Sequence, residues 1–244
     1  MRAIKTFVTG VFLSVTAGLA QAGDRAVVVA ELFTSQGCSS CPPADELLGE
    51  LAHQTDILPL AMHVDYWDYI GWKDTFARPE HTKRQKAYAY AFGTKSIYTP
   101  QMVIGGIEQA VGSHVMKVME ILHRHQMAVG RVNLQRQADG AEQVVRVEST
   151  SNLPLPKVIY AQIVRFQPQA TVAIKRGENA GRSITSTNIV TEIHALGQWD
   201  GTGEARFVLP DPVAPDGQSA AILLQAATPG GYPGEILAAL ALGE

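Results

Sequence analysis

The chain has 244 residues, of which 46% are hydrophobic and only two are cysteine, and its formal net charge is −3. That composition supports a sizeable core in one large or two small domains. A mildly acidic chain without a basic tract excludes nucleic acid and anionic membrane surfaces as expected partners.

Met1-Arg2-Ala3-Ile4-Lys5 is a short positive start, and Phe7 to Ala20 is apolar apart from small and hydroxyl residues. Ala20-Gln21-Ala22 then supplies a small-x-small site before the polar Gly23-Asp24-Arg25. The three together describe a secretory signal peptide over residues 1–22. The apolar run is short of the roughly 20 residues of a membrane anchor, so no stable membrane insertion is expected after cleavage. A periplasmic or secreted location follows.

Val27-Val28-Val29-Ala30 and Leu32-Phe33 form an apolar run suited to a buried strand, and Cys38-Ser39-Ser40-Cys41 comes next. Pro42-Pro43-Ala44-Asp45-Glu46-Leu47-Leu48 opens a helix, because prolines fit only a first turn whose N–H groups lack intrahelical partners. A C-x-x-C at a helix start is placed for thiol chemistry, since the unpaired amides there favour a thiolate. Three other uses remain open. A structural zinc would need ligands beyond this one cysteine pair, since four are usual. A structural disulfide would close too short a loop to constrain the unfolded chain much. Both thiols with a histidine would suit Cu(I). In an oxidising compartment dithiol–disulfide exchange is the leading use, and electrons must pass to or from another molecule because no third cysteine exists.

Further along, Ala44, Leu47, Leu48 and Leu51 share one helix face, Ile57 to Val64 is a second buried strand, and Pro79 to Phe92 is a helix ended by Gly93. Met102-Val103-Ile104 and Ile107 flank Gly105-Gly106, a hairpin signal. Ser113 is placed to cap a last helix with Val115, Val118, Met119 and Leu122 inward. Its carboxyl end carries His123, Arg124 and His125, where cations suit the helix dipole.

Beyond Ala128 the pattern changes to short apolar runs between turn residues: Val132–Gln135, Val144–Glu148, Val158–Val164, Thr171–Lys175, Phe207–Leu209 and Ala220–Ala226. This spacing predicts a small β-sandwich. The expected organisation is a signal peptide (1–22), an α/β domain (23–127) and a β-rich, sandwich-like domain (128–244).

The loop His63-Val64-Asp65-Tyr66-Trp67-Asp68-Tyr69-Ile70-Gly71-Trp72-Lys73-Asp74 follows the second strand, whose carboxyl end lies on the same sheet edge as the cysteines. Tyr66, Trp67 and Trp72 can wall a peptide or apolar ligand, with His63 or Asp65 exchanging protons with the resolving thiol. The alternative is that the tryptophans pack the loop onto the core while Asp65 and Asp68 cap turns. Arg176-Gly177-Glu178-Asn179 reads as a turn between strands.

A strand, C-x-x-C at a helix start, a second strand, a helix, Tyr98-Thr99-Pro100, a hairpin and a last helix together resemble the thioredoxin fold. That resemblance implies a cis Pro100 beside the dithiol, Cys38 as attacking and Cys41 as resolving thiol, and Thr99-Pro100 as the wall on which a substrate strand pairs. The Ser39-Ser40 between the cysteines differs from the Gly-Pro usual in thioredoxins. More narrowly, Phe33 to Asp45, His63 to Asp68, Gly71-Trp72-Lys73-Asp74, Tyr98 to Gln101, Arg176 to Asn179 with Gly181-Arg182, and Leu196-Gly197-Gln198-Trp199 resemble an exported bacterial family of unknown function of the DUF1223 type.

The resulting expectation is an α/β chain with a thioredoxin-like first domain and a β-rich second one, acting as an exported thiol–disulfide oxidoreductase. Cys38 and Cys41 would be catalytic, Thr99, Pro100, Trp67 and Trp72 would bind substrate, and His63 and Asp65 would move protons. No metal or other cofactor is implied. Partners would be protein or small-molecule thiols and disulfides, with an external redox partner. The alternative is a non-catalytic module on the same scaffold, holding copper through Cys38, Cys41 and His63 or binding a partner protein. A third possibility is an interaction role carried by the second half alone.

Overall fold

A computed structural model of the chain describes residues 27–128 and 130–243. The expected signal peptide lies outside them. Among the described residues no helix is long and apolar enough to cross a membrane.

The fold is mixed α/β and dominated by sheet. Its first half runs β1 (Val28–Thr34), α1 (Pro42–Leu51), β2 (Ile57–His63), α2 (Pro79–Ala91), β3 (Gln101–Ile104), β4 (Glu108–Val111) and α3 (Val115–Gln126). The second half is β5 (Val132–Asp139), β6 (Glu142–Ser149), β7 (Ile159–Ala173), β8 (Ser183–Trp199), β9 (Glu204–Val208), β10 (Ser219–Ala227) and β11 (Pro233–Gly243). An eight-stranded sheet has the order β11-β10-β7-β8-β2-β1-β3-β4, and β5-β6-β9 form a second sheet. β1 and β2 are parallel, with Val28 opposite Ile57, while β3 and β4 are antiparallel additions.

Alternation along β1 divides the core, since successive residues of a strand face opposite sides. Ala30 and Leu32 pack with Leu48, Leu51, Ile121 and Leu122 under α1 and α3. Val29 and Phe33 face the other way, onto Tyr88 of α2 and onto Val164, Val190 and Leu223 of the second half. A third cluster joins the small sheet, through Val132, Leu134, Val145 and Val147, to Ile159, Ile163, Ile222 and Leu224. The second half is thus layered like a sandwich, but one layer continues the sheet of the first half.

Several elements differ from expectation. The runs at 158–164 and 171–175 belong to one strand, β7, and β8 and β11 lie outside the expected strands. β8 is rich in Ser and Thr and is interrupted at Asn188, whose φ is +48°, so its alternation is weak. The Ala/Leu-rich β11 has helical propensity that pairing with β10 overrides. At α3, His114 rather than Ser113 occupies the cap position. The buried face is Val118, Ile121 and Leu122, with Val115 and Met119 exposed.

Candidate functional site

Cys38 and Cys41 are joined as a disulfide in the turn between β1 and α1. Cys41 is the cap residue of α1; its carbonyl accepts the amides of Ala44 and Asp45 at 2.8 and 3.1 Å. Ser40 Oγ lies 3.4 Å from Cys38 Sγ. Both cysteines are fully buried, whereas Ser39 and Ser40 are exposed.

Beneath the dithiol turn sits a buried charged network. His63, the last residue of β2, places Nδ1 2.8 Å from Asp74 Oδ2. That oxygen also accepts the Gln36 amide at 2.7 Å, while Oδ1 accepts the Phe76 amide at 2.8 Å. Burial opposes ionisation of Asp74, but His63 and these amides outweigh it and hold the carboxyl below its usual value. Burial likewise opposes a charge on His63, yet Asp74, aided by Asp45, raises it above 6.5. Asp45 is buried in the first turn of α1, one turn from Cys41, and accepts Thr34 Oγ1 at 3.0 Å. Burial pushes its carboxyl up to about 7, against the attraction of His63. Asp45 Oδ1 and His63 Nε2 are both buried without a hydrogen-bond partner among the described residues. Two acids and an imidazole, with one open valence on Asp45 and one on His63, can store and pass a proton.

The aromatic loop is tied to the same turn. Trp72 Nε1 donates to Gln36 Oε1 at 2.9 Å, and Trp67 Nε1 donates to Thr99 Oγ1 at 2.7 Å. Trp67 packs so closely on Gly37 that a Cβ there would sit 3.3 Å from the Trp67 Cβ. The Thr99–Pro100 bond is cis. Gly112 leaves room for Leu32, Ala44 and Pro100 to converge, since a Cβ at Gly112 would lie 2.9, 3.0 and 3.2 Å from them. Pro100 is thereby placed beside the start of α1. Asp65 stands apart, accepting Thr82 Oγ1 of α2 at 2.6 Å. Asp68 caps the loop by accepting the Asp74 amide.

The remaining wall comes from the second half. The long β7–β8 hairpin carries its tip to the dithiol turn, where Asn179 Nδ2 donates to the carbonyls of Gln36 and Cys38 at 3.0 and 2.9 Å. Gly177, at φ +77°, makes the turn read from sequence and abuts Trp72. Asn179, however, is buried rather than solvated. Sequence reasoning also missed Asp45, Asp74 and Gln36 as site residues. Asp45 was visible as an acid on the otherwise apolar face of α1, at i+1 from Ala44; nothing in the sequence marked Asp74 among the loop's other acids.

A family model described as "Protein of unknown function (DUF1223)" matches residues 29–225. The chain belongs to that family. The matched span includes the dithiol, the aromatic loop and the Asn179 tip. The chain is also similar to a protein of Agrobacterium tumefaciens known from its crystal structure, with 30% identity and a TM-score of 0.75. The similarity covers 91% of this chain and 96% of that one. No curated protein matches.

Proposed function

We propose that this chain is an exported thiol–disulfide oxidoreductase whose first half is thioredoxin-like. The fold reading is supported by the strand order β4-β3-β1-β2, the parallel β1–β2 pair and the dithiol between β1 and α1. The observation that carries the chemistry is the Cys38–Cys41 disulfide backed by buried Asp45, His63 and Asp74.

In the reducing direction, the Cys38 thiolate attacks a substrate disulfide and the first substrate sulfur leaves as a thiolate. Asp45, whose pKa of about 7 suits proton exchange near neutrality, accepts the Cys41 proton. The Cys41 thiolate then attacks Cys38 Sγ, restores the Cys38–Cys41 disulfide and releases the second substrate thiolate. The substrate gains two electrons and the chain loses two, which an external dithiol must restore. Run backwards, the same steps oxidise a substrate dithiol. Asp74 favours the charged form of His63, whose imidazolium opposes the effect of burial on the proton affinity of Asp45. Ser40 is placed to stabilise a sulfur anion on Cys38.

The test is reduction of insulin by the chain with dithiothreitol as electron source, with Cys38→Ser as the background. Turnover well above that background is expected. Equal rates would overturn the proposal.

A further inference from the structure

Three of the six methionines are solvent-exposed on one helix, a pattern that the redox site does not use. Met116 is 84% exposed, Met119 36% and Met127 72%, whereas Met62 and Met102 are fully buried in the core. The buried face of α3 is built from Val118, Ile121 and Leu122. Thioethers, which fill irregular core gaps well, are thus absent from the packed side of α3 and present on its wet side.

Their spacing puts them in a row. Met127 is the C-cap residue and is itself helical, with φ −81° and ψ −12°. Met116, Met119, His123 and Met127 therefore follow one another at intervals of three, four and four residues along one helix face, neighbours being about 5–6 Å apart at Cβ. His123 is exposed and has no hydrogen-bond or ion-pair partner among the described residues. The adjoining charges are satisfied elsewhere: Glu120 accepts Lys117 and Arg124, and Glu108 accepts Arg124 and His125. Among the described residues no three His, Cys, Asp or Glu side chains gather as a cluster for a metal ion. The donor set left open is two neutral thioethers and one imidazole within α3, with a third thioether, Met127, at its C-cap.

We propose that the outer face of α3 binds a soft monovalent d10 cation, Cu(I) or Ag(I), through Met116 Sδ, Met119 Sδ and the His123 imidazole. Thioether sulfur is soft and uncharged, so it selects such ions over Zn(II), Mg(II) or Ca(II), which prefer thiolate, carboxylate or carbonyl ligands. Met119 lies between the other two ligands, and the flexible side chains of Met116 and His123 can converge above it. Met127 extends the row by one turn. No electron transfer is involved, and the site is independent of the dithiol because it uses neither cysteine.

The experiment is a titration of the full chain, with its Cys38–Cys41 disulfide intact, by Ag(I) nitrate in chloride-free buffer. Methionine methyl groups are followed by carbon-13 NMR. The Met116 and Met119 methyls should shift and saturate at one equivalent, while those of Met62 and Met102 stay in place. Met116→Leu with Met119→Leu keeps the volume and apolar character of the face and should weaken Ag(I) binding at least tenfold, and His123→Ala should weaken it as well. An unaltered melting temperature would show that these surface variants are folded. Affinity unchanged in the double leucine variant, or methyl shifts that do not saturate near one equivalent, would overturn the proposal. Because leucine preserves a sticky apolar face, a surface that serves only protein docking would give one of those negative results.

Discussion

Asp45 is the residue on which the proposed proton transfer turns. In the unfolded chain its carboxyl ionises near 3.8, whereas burial in α1 raises that to about 7. Between those values the folded state holds a proton that the unfolded state releases, so stability falls as pH rises, by on the order of 1.4 kcal/mol per pH unit. His63, raised from 6.5, acts in the same direction: its contribution is full below 6.5 and disappears as pH passes its folded value. Asp74, lowered from 3.8, acts oppositely, and its contribution is lost only in strong acid. Urea denaturation of the oxidised chain should therefore show stability declining from pH 5 to pH 8. Asp45→Asn should flatten that decline while keeping the oxygen that accepts Thr34. It should also slow release of the mixed disulfide by Cys41 about a hundredfold or more at neutral pH, the low end for loss of a general base. Attack by Cys38 should be left nearly intact. A pH–stability curve parallel to that of the parent would show that Asp45 is not held protonated.

At the scale of elements, the dithiol turn is held from two sides. Pro42 and Pro43 start α1 directly after Cys41, and the β7–β8 tip docks Asn179 on the carbonyls of Gln36 and Cys38. Burial of both cysteines means that a reagent reaches Cys38 only when this turn opens. Asn179→Ala removes two donated hydrogen bonds and strands the Gln36 carbonyl, while the Cys38 carbonyl keeps the Cys41 amide, a local cost of about 1–3 kcal/mol. Alkylation of the reduced chain by iodoacetamide should accelerate about tenfold or more, since 1.4 kcal/mol corresponds to a factor of ten. An unchanged rate would place the opening motion elsewhere. The proline signature of α1 was legible in the sequence because proline excludes itself from helix interiors. The docking of a tip some 140 residues distant was not, because nothing local to Arg176–Asn179 differs from an exposed turn.

Across the whole molecule, one buried polar network stitches the halves together. Arg84 Nε and Nη2 reach the two carboxylate oxygens of Glu31, at 2.6 and 3.1 Å, and Nη2 also donates to Gln225 Oε1 at 2.9 Å. Tyr88 Oη donates to Glu31 and accepts Gln225 Nε2. Arg84→Met would strand the Glu31 carboxylate in the core and should cost about 3–5 kcal/mol. Adding Glu31→Gln should recover part of that loss, whereas loss of packing alone would not be recovered. The apolar clusters point the same way, since Leu60, Met62 and Phe33 are covered in part by Val164, Val190 and Leu223. Residues 27–128 expressed alone should therefore be aggregation-prone or partly folded, which a broad, non-cooperative urea transition would reveal. A sharp two-state transition would show the first half to be self-sufficient.

The amino-acid sequence by itself determined the local features: the strand–dithiol–helix unit, the helix starts at proline, the Gly105-Gly106 hairpin and the change to short strands past residue 128. Each rests on a preference expressed within a few residues, such as fixed φ at proline, positive φ at glycine or the period of apolar side chains. Only the tertiary structure decided that β8 joins β2, with Ala61 opposite Ile189 and Asn188 Nδ2 bonded to the Pro59 carbonyl. Proline in a central strand argues against such a neighbour locally because it has no N–H to give; here the Asn188 side chain of β8 donates to its carbonyl. The same holds for Asp45, His63 and Asp74. Their sequence neighbours say nothing of a shared interior; burial raises Asp45, while the His63–Asp74 contact and the amides on Asp74 shift those two against their burial.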